Sequence, residues 1–206
     1  MDLRPYDSQC DGAALWKCKA ALERELGALG GDAKATTYEG KLTDAYRGRY
    51  LDWVAWCIER DEGCVIVAAH DGRDGTGDDE GDGRQLAGYA FVLPEALAMI
   101  WDAAVLNELY VCESHRGTGL ADDLLEAALD RARGQDLPVE RIVLDVGSGN
   151  ERAGAVYERH GFEPWPDARP RALKSPLSPR TDESVRRCGG RRGSYALRGA
   201  QRSCEG

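Results

Sequence analysis

The segment LYVCESHRGTGLADDLLEAAL, residues 109–129, constrains the fold of this chain more than any other stretch. An apolar run ends at Val111, a tight turn follows at residues 116–119 (RGTG), and a helical pattern begins directly afterwards. Two glycines and the small Ala121 keep side chains away from the turn, so several backbone N–H groups can point at one spot. Such a spot at a helix N-terminus suits an anion, for example a pyrophosphate.

The helical pattern after the turn is amphipathic, with Asp122, Asp123 and Glu126 outside its apolar stripe. The stripe comprises Leu120, Leu124, Leu125, Ala128 and Leu129. An ordinary strand-to-helix turn that uses glycine is the alternative to an anion site. Two other phosphate-binding patterns do not fit, because Asp122 stands where a dinucleotide fingerprint needs a small residue and no GxxxxGK[ST] motif occurs.

Strand-like and helix-like segments alternate along the chain, which predicts an α/β fold with one domain over residues 1–165. Asp11 and Thr43 are the predicted N-caps of two early helices. The apolar runs CVIVAA and QLAGYAFVLP predict a hairpin whose long, solvated tip is the Gly/Asp-rich stretch at about residues 70–85. The remaining predicted elements are strands at DLRPY, AVLNELYV and VERIVLDV, and helices at TGLADDLLEAALDRAR and NERAGAVYERHG.

Charge is divided unevenly along the chain. Residues 166–206 carry ten basic and four acidic groups, whereas residues 1–165 carry 17 basic and 32 acidic groups. Only five of the 27 basic residues are lysine, and an acidic, lysine-poor body is typical of a salt-adapted, halophilic protein. The acidic body argues against nucleic acid as a partner, because phosphate contacts need dense basic side chains. Nucleic-acid binding through the basic tail, residues 166–206, is kept as a separate hypothesis about function.

The seven cysteines are scattered without a CxxC pair, and with three histidines they predict reduced thiols and no metal site. We therefore expect a cytoplasmic protein. The longest apolar stretches are too short or too interrupted to span a membrane, and the N-terminus lacks a basic region followed by an apolar one. No membrane partner is predicted.

A companion segment, LDVGSGNERAGAVYERHGFEPW, places Asn150 at a strand end, Tyr157 in a short helix and Gly161-Phe162 after it. Together the two segments resemble the GNAT acyltransferase superfamily. The turn matches its (Arg/Gln)-x-x-Gly-x-(Gly/Ala) acetyl-CoA motif, and the companion matches its Asn-to-Tyr-to-Gly-Phe pattern. The motif positions in the turn are Arg116, Gly119 and Ala121. The resemblance is specific over Leu106–Pro164 and looser back to Leu3.

The resemblance implies a mixed central sheet in which a splayed pair of parallel strands admits acetyl-CoA as co-substrate. It implies an enzyme that passes the acetyl group directly to a primary amine of a small molecule or protein. The backbone of Leu109 and Val111 would contact the thioester and pantetheine, Asn150 would meet the pantetheine arm, and Tyr157 would give a proton to the departing thiolate. The pyrophosphate would be bound by N–H groups of Arg116, Gly117, Thr118, Gly119, Leu120 and Ala121.

An attacking amine must lose a proton, and two carboxylates within apolar strands are candidate bases. Glu108 lies on the strand beside the predicted slot and is the first choice, and Asp145 lies on the neighbouring strand. A solvated, outward carboxylate is the alternative at either position. We expect His115 and His160 at the surface. Cys112 is discounted as a covalent nucleophile, because no histidine pairs with it in the sequence.

In the resembled family, the early helices and the loop before the Glu108 strand form the acceptor pocket. Here these segments offer several acids and five aromatic rings, which suit a cationic amine or a protein N-terminus, unless the rings are core. The rings are Tyr46, Tyr50, Trp53, Trp56 and Trp101. A non-catalytic acyl-CoA-binding regulatory module is the alternative function, and a homodimer is a candidate assembly.

The C-terminal segment departs from the family. A family member usually ends in a strand hairpin that inserts into the sheet, whereas residues 166–206 are rich in Pro, Arg, Gly and Ser. Only GSYALRG could form a strand there. We expect either a disordered tail or a stretch translated in a frame foreign to the family.

Overall fold

The computed structural model describes residues 1–69, 85–137, 140–147 and 149–164, and the backbone of residues 192–198. The helices are α1 (Gly12–Ala28), α2 (Asp32–Gly40), α3 (Asp44–Ile58), α4 (Leu120–Arg133) and α5 (Glu151–Arg159). The strands are β1 (Asp2–Pro5), β2 (Val65–Ala69), β3 (Leu86–Val92), β4 (Ala104–Val111), β5 (Arg141–Gly147), β6 (Glu163–Pro164) and β7 (Arg192–Arg198).

The described strands form one mixed sheet in the order β1-β2-β3-β4-β5-β7-β6. Every neighbouring pair is antiparallel except β4 and β5, which are parallel. A parallel pair needs a crossover connection, and α4 supplies it. The mixed α/β fold predicted from the sequence is confirmed.

Helices cover both faces of the sheet, and each face has its own apolar core. On one face, Leu124 and Leu125 of α4 are fully buried, and Tyr157 of α5 joins the same cluster. On the other face, Leu15 of α1 and Val54 of α3 are fully buried. Because β2 and β3 are covered on both sides, every residue of these two strands is buried, which explains their uninterrupted apolar runs.

The early helices begin partly as predicted. Thr43 caps α3 with its side chain, which accepts a hydrogen bond from the Tyr46 N–H at 3.2 Å. Asp11 occupies the N-cap position of α1, but its carboxylate accepts two bonds from Arg4, at 2.6 and 2.8 Å, and so links β1 to α1. The prediction of only two early helices is wrong. The third, α2, has no buried residue and therefore no apolar stripe that a sequence pattern could show.

The β2–β3 hairpin pairs as predicted, and its tip at residues 70–84 lies outside the described residues. The segment GSYALRG lies at β7, which pairs with β5 along residues 141–147 and with β6 on its other side. The sheet therefore takes one strand from the C-terminal segment. The rest of residues 165–206 lies outside the described part, and the expectations for it stay predictions.

Within the described ranges, no helix is both long enough and apolar enough to cross a bilayer.

Candidate functional site

The parallel strands β4 and β5 diverge. They pair only where Ala104–Leu106 faces Ile142–Leu144, although β4 continues to Val111 and β5 to Gly147. At the same point the β3–β4 register shifts, since Leu106 pairs with Val92 and Glu108 with Phe91, so that Asn107 is an extra residue. An extra residue of this kind bends the strand, and the pairing of β4 with β5 ends at the preceding residue, Leu106. A slot therefore opens between β4 and β5 beyond Leu106.

The peptide groups of β4 that face this slot can be identified from the register. The Cys112 N–H donates to the Ala87 carbonyl at 2.8 Å, and alternate residues of an antiparallel strand turn their peptide groups to the same neighbour. The peptide groups of Leu109 and Val111 consequently point away from β3, toward the slot. These are the two residues whose backbone was predicted to contact the thioester and the pantetheine arm.

The turn between β4 and α4 is built on two glycines with left-handed backbone. Gly117 has φ +77° and Gly119 has φ +91°, and Gly119 is the N-cap residue of α4. The Thr118 hydroxyl donates to the His115 carbonyl at 2.8 Å and closes the turn on itself. The first N–H groups of α4 have no partner within the helix, so they are available to an anion at its N-terminus.

Between α1, the end of β4, the turn and α5 lies a cleft of about 880 Å³. Eight predicted ligand residues line it: Leu109, Val111, Arg116, Gly117, Gly119, Ala121, Asn150 and Tyr157. Two do not, because the Thr118 side chain bonds back to the turn and the Leu120 side chain is buried in the core. Of these two residues, Thr118 and Leu120, only the backbone N–H groups can bind an anion, and the side chains cannot.

The α5 side of the cleft presents two predicted residues. Asn150 caps α5 by accepting a hydrogen bond from the Ala153 N–H at 3.2 Å. Tyr157 is buried against Phe162, with ring centroids 5.6 Å apart, and this burial raises the pKa of its phenol. Within the described residues, the Tyr157 hydroxyl has no hydrogen-bond partner. The phenol is therefore protonated over the working pH range and able to donate into the cleft.

A cluster that the sequence did not reveal lines the cleft. Glu25 of α1 accepts hydrogen bonds from Arg116, from the Tyr110 hydroxyl at 3.1 Å and from Arg152 at 3.2 Å. The carboxylate thus draws together two guanidinium groups where an anion would enter. Arg152, on α5, is a further cationic residue of the cleft. No short-range signal could show this cluster, because Glu25 lies 85 to 127 residues from the other members in sequence.

The two histidines near the turn differ in their surroundings. His115 lines the cleft and shares a 2.9 Å hydrogen bond with the Ser114 hydroxyl. His160 is half-buried, with Nδ1 2.8 Å from the Val156 carbonyl oxygen and Nε2 3.4 Å from the Asp122 carboxylate. His160 is therefore only partly at the surface, since the ring packs between the C-terminal end of α5 and the start of α4.

Glu108 is buried in a hydrogen-bonded cluster on the α1/α3 face of the sheet. Its carboxylate accepts hydrogen bonds from Lys19 at 2.6 Å, Tyr50 at 2.8 Å and Tyr89 at 2.7 Å. Burial opposes the charge on Lys19, but Glu108 and Glu23, the latter 2.8 Å away, outweigh it and raise the Lys19 pKa. Burial and then the Glu108 charge raise the pKa of both phenols well above the usual value. Glu108 therefore faces three groups that keep their protons.

Neither candidate base lines the cleft among the described residues. Glu108 immediately precedes Leu109 on β4, so its backbone adjoins the slot while its side chain turns to the opposite core. Asp145 is exposed on β5, opposite Ser194 of β7. The two carboxylates thus differ in their surroundings, so the effects of substituting each of them can be told apart.

The five predicted aromatic residues do not share one pocket. Tyr46 and Tyr50 pack near Trp16, at centroid distances of 6.0 and 6.3 Å, and Trp53 packs on Phe91 at 4.9 Å. The remaining two rings, those of Trp56 and Trp101, are exposed. Three rings thus belong to the α1/α3 side of the sheet, where the Glu108 cluster lies.

No group of three or more His, Cys, Asp or Glu side chains in the described ranges is placed to hold a metal ion.

Comparison with known proteins agrees with this architecture. Residues 32–162 match the acetyltransferase (GNAT) family, which is more than half of the chain. The chain belongs to this family.

Curated relatives match over shorter stretches. The mycothiol acetyltransferase of Beutenbergia cavernae is 38% identical over 91 residues, which cover 42% of this chain and 27% of the relative. The L-methionine sulfoximine/L-methionine sulfone acetyltransferase of Pseudomonas aeruginosa is 41% identical over 59 residues, which cover 29% of this chain and 33% of the relative. The matched part is therefore no more than a third of either relative.

Solved structures share the fold over nearly the whole chain. The PaiA N-acetyltransferase of Thermoplasma acidophilum, solved with coenzyme A, has a TM-score of 0.63 and 14% identity, covering 96% of this chain and 98% of its own. YncA of Salmonella typhimurium, solved with acetyl-CoA, has a TM-score of 0.58 and 19% identity, covering 99% of both chains. At these identities the likeness concerns the fold.

Proposed function

We propose that this protein transfers the acetyl group of acetyl-CoA to a primary amine, either of a small molecule or of a protein N-terminus or lysine. The observation that carries the proposal is the divergence of β4 and β5 directly beside the turn at Gly117 and Gly119. A slot for a thioester arm and an anion-binding helix N-terminus thus open into one cleft. Membership of the GNAT family supports the same reaction.

In the proposed reaction, the amine nitrogen attacks the thioester carbon, the C–S bond breaks, and the sulfur leaves as a thiolate. The slot-facing peptide groups of Leu109 and Val111 hold the thioester and pantetheine, and Asn150 meets the pantetheine arm. The N–H groups of residues 117–121 bind the pyrophosphate, and the Arg116 N–H joins them by exchanging its 3.3 Å bond to the Glu113 carbonyl. Tyr157 donates to the departing sulfur, and Glu108, or Asp145 as the second candidate, takes the proton of the amine.

A non-catalytic acyl-CoA-binding module is the alternative function, and one observation favours it. The Glu108 carboxylate is held by Lys19, Tyr50 and Tyr89, so in this arrangement its oxygens are already bonded to three donors. A base must be within reach of the proton that it accepts. Transfer with Glu108 as base therefore requires one of these bonds to be exchanged for a bond to the amine or to a bridging water.

A thiol-release assay separates the two functions. The protein is incubated with acetyl-CoA and a panel of small amines, polyamines, amino acids and peptides with free N-termini, and coenzyme A is measured against a no-acceptor control. Amine-dependent thiol release supports transfer and identifies the acceptor class. Calorimetric binding of acetyl-CoA without release for any acceptor would favour the binding module.

Tyr157→Phe should lower kcat by about 10- to 100-fold and change the Kd for acetyl-CoA little, because the hydroxyl matters mainly when charge builds on the sulfur. The ring keeps its packing on Phe162, so the fold should be retained. Steady-state kinetics combined with calorimetry make this distinction. Equal kcat in both proteins, with chemistry shown to be rate-limiting, would remove Tyr157 from the mechanism.

Glu25→Gln should tighten acetyl-CoA binding, because it removes a negative charge from the cleft wall and ends the ion pairs with Arg116 and Arg152. Since Glu25 is partly exposed, the effect should be modest, a fall in Kd of about three- to tenfold or about 1 kcal/mol. Glu39→Gln is the matched control, because Glu39 pairs with Arg24 at 2.8 Å and does not line the cleft. Weaker binding by Glu25→Gln than by the control would contradict this role.

We further propose a cytoplasm rich in salt as the setting. Residues 1–165 carry 32 acidic and 17 basic groups, and such an excess of like charge destabilises a folded chain unless ions screen it. The melting temperature should therefore rise as KCl is increased from low to molar concentration. A melting temperature that is constant or falls over this range would count against salt adaptation.

A further inference from the structure

Two cysteines distant in sequence meet beside the cleft. Cys18 lies in α1 and Cys112 directly follows β4, and their sulfur atoms are 3.7 Å apart. Both thiols also lie near the Leu86 carbonyl oxygen, at 3.8 Å for Cys18 and 3.2 Å for Cys112. The two side chains therefore point at each other and contact the same backbone group of β3.

The two thiols are unlike in exposure and acidity. Cys18 is buried, whereas Cys112 is half-buried, between Val111 and Glu113, which both line the cleft. The hydrogen bond shared with Cys18, together with the Arg116 charge, outweighs burial and lowers the pKa of Cys112 to about 7. The hydrogen bond to Cys112 and burial raise the pKa of Cys18. Of the two thiols, Cys112 is therefore the more exposed and the more acidic.

The other buried thiols lack this combination. Burial raises the pKa of Cys57 to about 11 and that of Cys64 to about 12, so neither is a good nucleophile near neutral pH. A reactive cysteine needs thiolate character, access to the oxidant and, for a reversible reaction, a second thiol in reach. In the described part of the chain, Cys112 is partly exposed, has a lowered pKa and lies 3.7 Å from a second thiol.

We propose that Cys112 and Cys18 form a peroxide-reactive thiol pair that closes to a disulfide and links α1 to the end of β4. The Cys112 thiolate attacks one oxygen of a hydroperoxide, the O–O bond breaks, and Cys112 becomes a sulfenic acid. The other oxygen of the peroxide leaves as alkoxide or hydroxide and takes up a proton from water. The Cys18 thiolate, formed by loss of the Cys18 proton, then attacks the Cys112 sulfur, and hydroxide leaves and takes up that proton as water. The two cysteines lose two electrons and the peroxide gains them.

Closing the bond requires a movement of the cleft wall. A disulfide holds its sulfurs about 2.05 Å apart, so the two atoms must approach by roughly 1.7 Å. Leu22, Glu25 and Leu26 of α1 follow Cys18 by one to two helical turns and line the cleft. Drawing α1 toward β4 narrows the cleft. An effect of this narrowing on acetyl-CoA binding rests on the proposed function, whereas formation of the disulfide does not.

The test maps the thiols of the full-length chain. The protein is treated with hydrogen peroxide, free thiols are alkylated, and the chain is cleaved before its aspartates, which releases residues 11–31 and 102–121, each with a single cysteine. We expect these two fragments to be joined, at about 2 Da below the sum of their masses, and to separate on reduction with a dithiol. Cys18→Ser, whose hydroxyl can still donate to Cys112, should instead leave Cys112 as a sulfenic acid that a cyclic diketone traps.

Two results would overturn the pair. The first is that Cys18 and Cys112 are alkylated to the same extent in untreated and in peroxide-treated protein. The second is that, in the Cys112→Ser variant, peroxide still joins Cys18 to another cysteine by a disulfide. Acetyl-CoA binding is then measured by calorimetry on reduced and oxidised protein, with an expected rise in Kd of about fivefold or more on oxidation. Absence of binding to the reduced protein would reject the proposed function while leaving the disulfide result to stand by itself.

Discussion

Glu108→Gln is expected to lower kcat/KM for acetyl transfer by about 10²–10⁴ near neutral pH. The amide has the size of the carboxylate and can still accept bonds from Tyr50 and Tyr89, but it cannot take the proton of the amine. The loss should shrink as pH rises, because more of the acceptor then arrives as the neutral amine. The measurement is kcat/KM across the pH range for wild type and variant, with the acceptor identified by thiol release.

The ion pair of Glu108 with Lys19 requires a control. Glu108→Gln removes one of two carboxylates that face the Lys19 ammonium, and breaking a buried pair can cost about 3–5 kcal/mol of stability. Lys19→Met breaks the same pair from the other side and leaves the carboxylate in place. Melting temperatures of both variants report the structural cost. A loss of activity confined to Glu108→Gln, at similar melting temperatures, assigns the effect to proton transfer.

Asp145→Asn is the comparison on the neighbouring strand. Asp145 is exposed, so this substitution should cost little stability. Full activity of Glu108→Gln across the pH range, with loss in Asp145→Asn, would move the base to Asp145. Activity unchanged in both variants would mean that solvent or another group removes the proton.

The turn could be predicted from the sequence because its determinants are local. Gly117 and Gly119 need left-handed backbone, and two such glycines between an apolar run and an amphipathic helix leave few alternatives. The splay of β4 and β5 was implied by the family resemblance alone. Its local cause, the extra residue Asn107, carries no sequence signal, because a bulge is defined by the partner strand.

The side-chain clusters could not be predicted, since they join residues that are distant in sequence. Lys19 lies 89 residues from Glu108, and Cys18 lies 94 residues from Cys112. A charged residue inside an apolar strand shows that a partner or solvent is needed, but it does not show which. For Glu108, the sequence left burial and exposure open. In the structure the partner is Lys19, which is buried on α1. In the sequence, the polar positions of this helix look like ordinary surface residues.

Gly119→Val should raise the Kd for acetyl-CoA by about 100-fold or more, which corresponds to about 2.7 kcal/mol. At φ +91° a β-branched side chain is strained, so the turn must rotate away and misdirect the N–H groups of α4. Each lost hydrogen bond to a charged phosphate group is worth about 1.5–3 kcal/mol, so misalignment of one or two accounts for the effect. Calorimetric titration with acetyl-CoA measures it.

Gly31→Val distinguishes the loss of an anion site from backbone strain alone. Gly31 has φ +80°, precedes α2 as its N-cap residue and does not line the cleft. An added Cβ would meet no atom within 4 Å at either Gly31 or Gly119, so both substitutions strain the backbone without a clash. Equal falls in melting temperature, with weak binding confined to Gly119→Val, would place the pyrophosphate at this turn. Unchanged affinity in folded Gly119→Val would exclude that placement, because the substituted backbone could not present the same N–H groups.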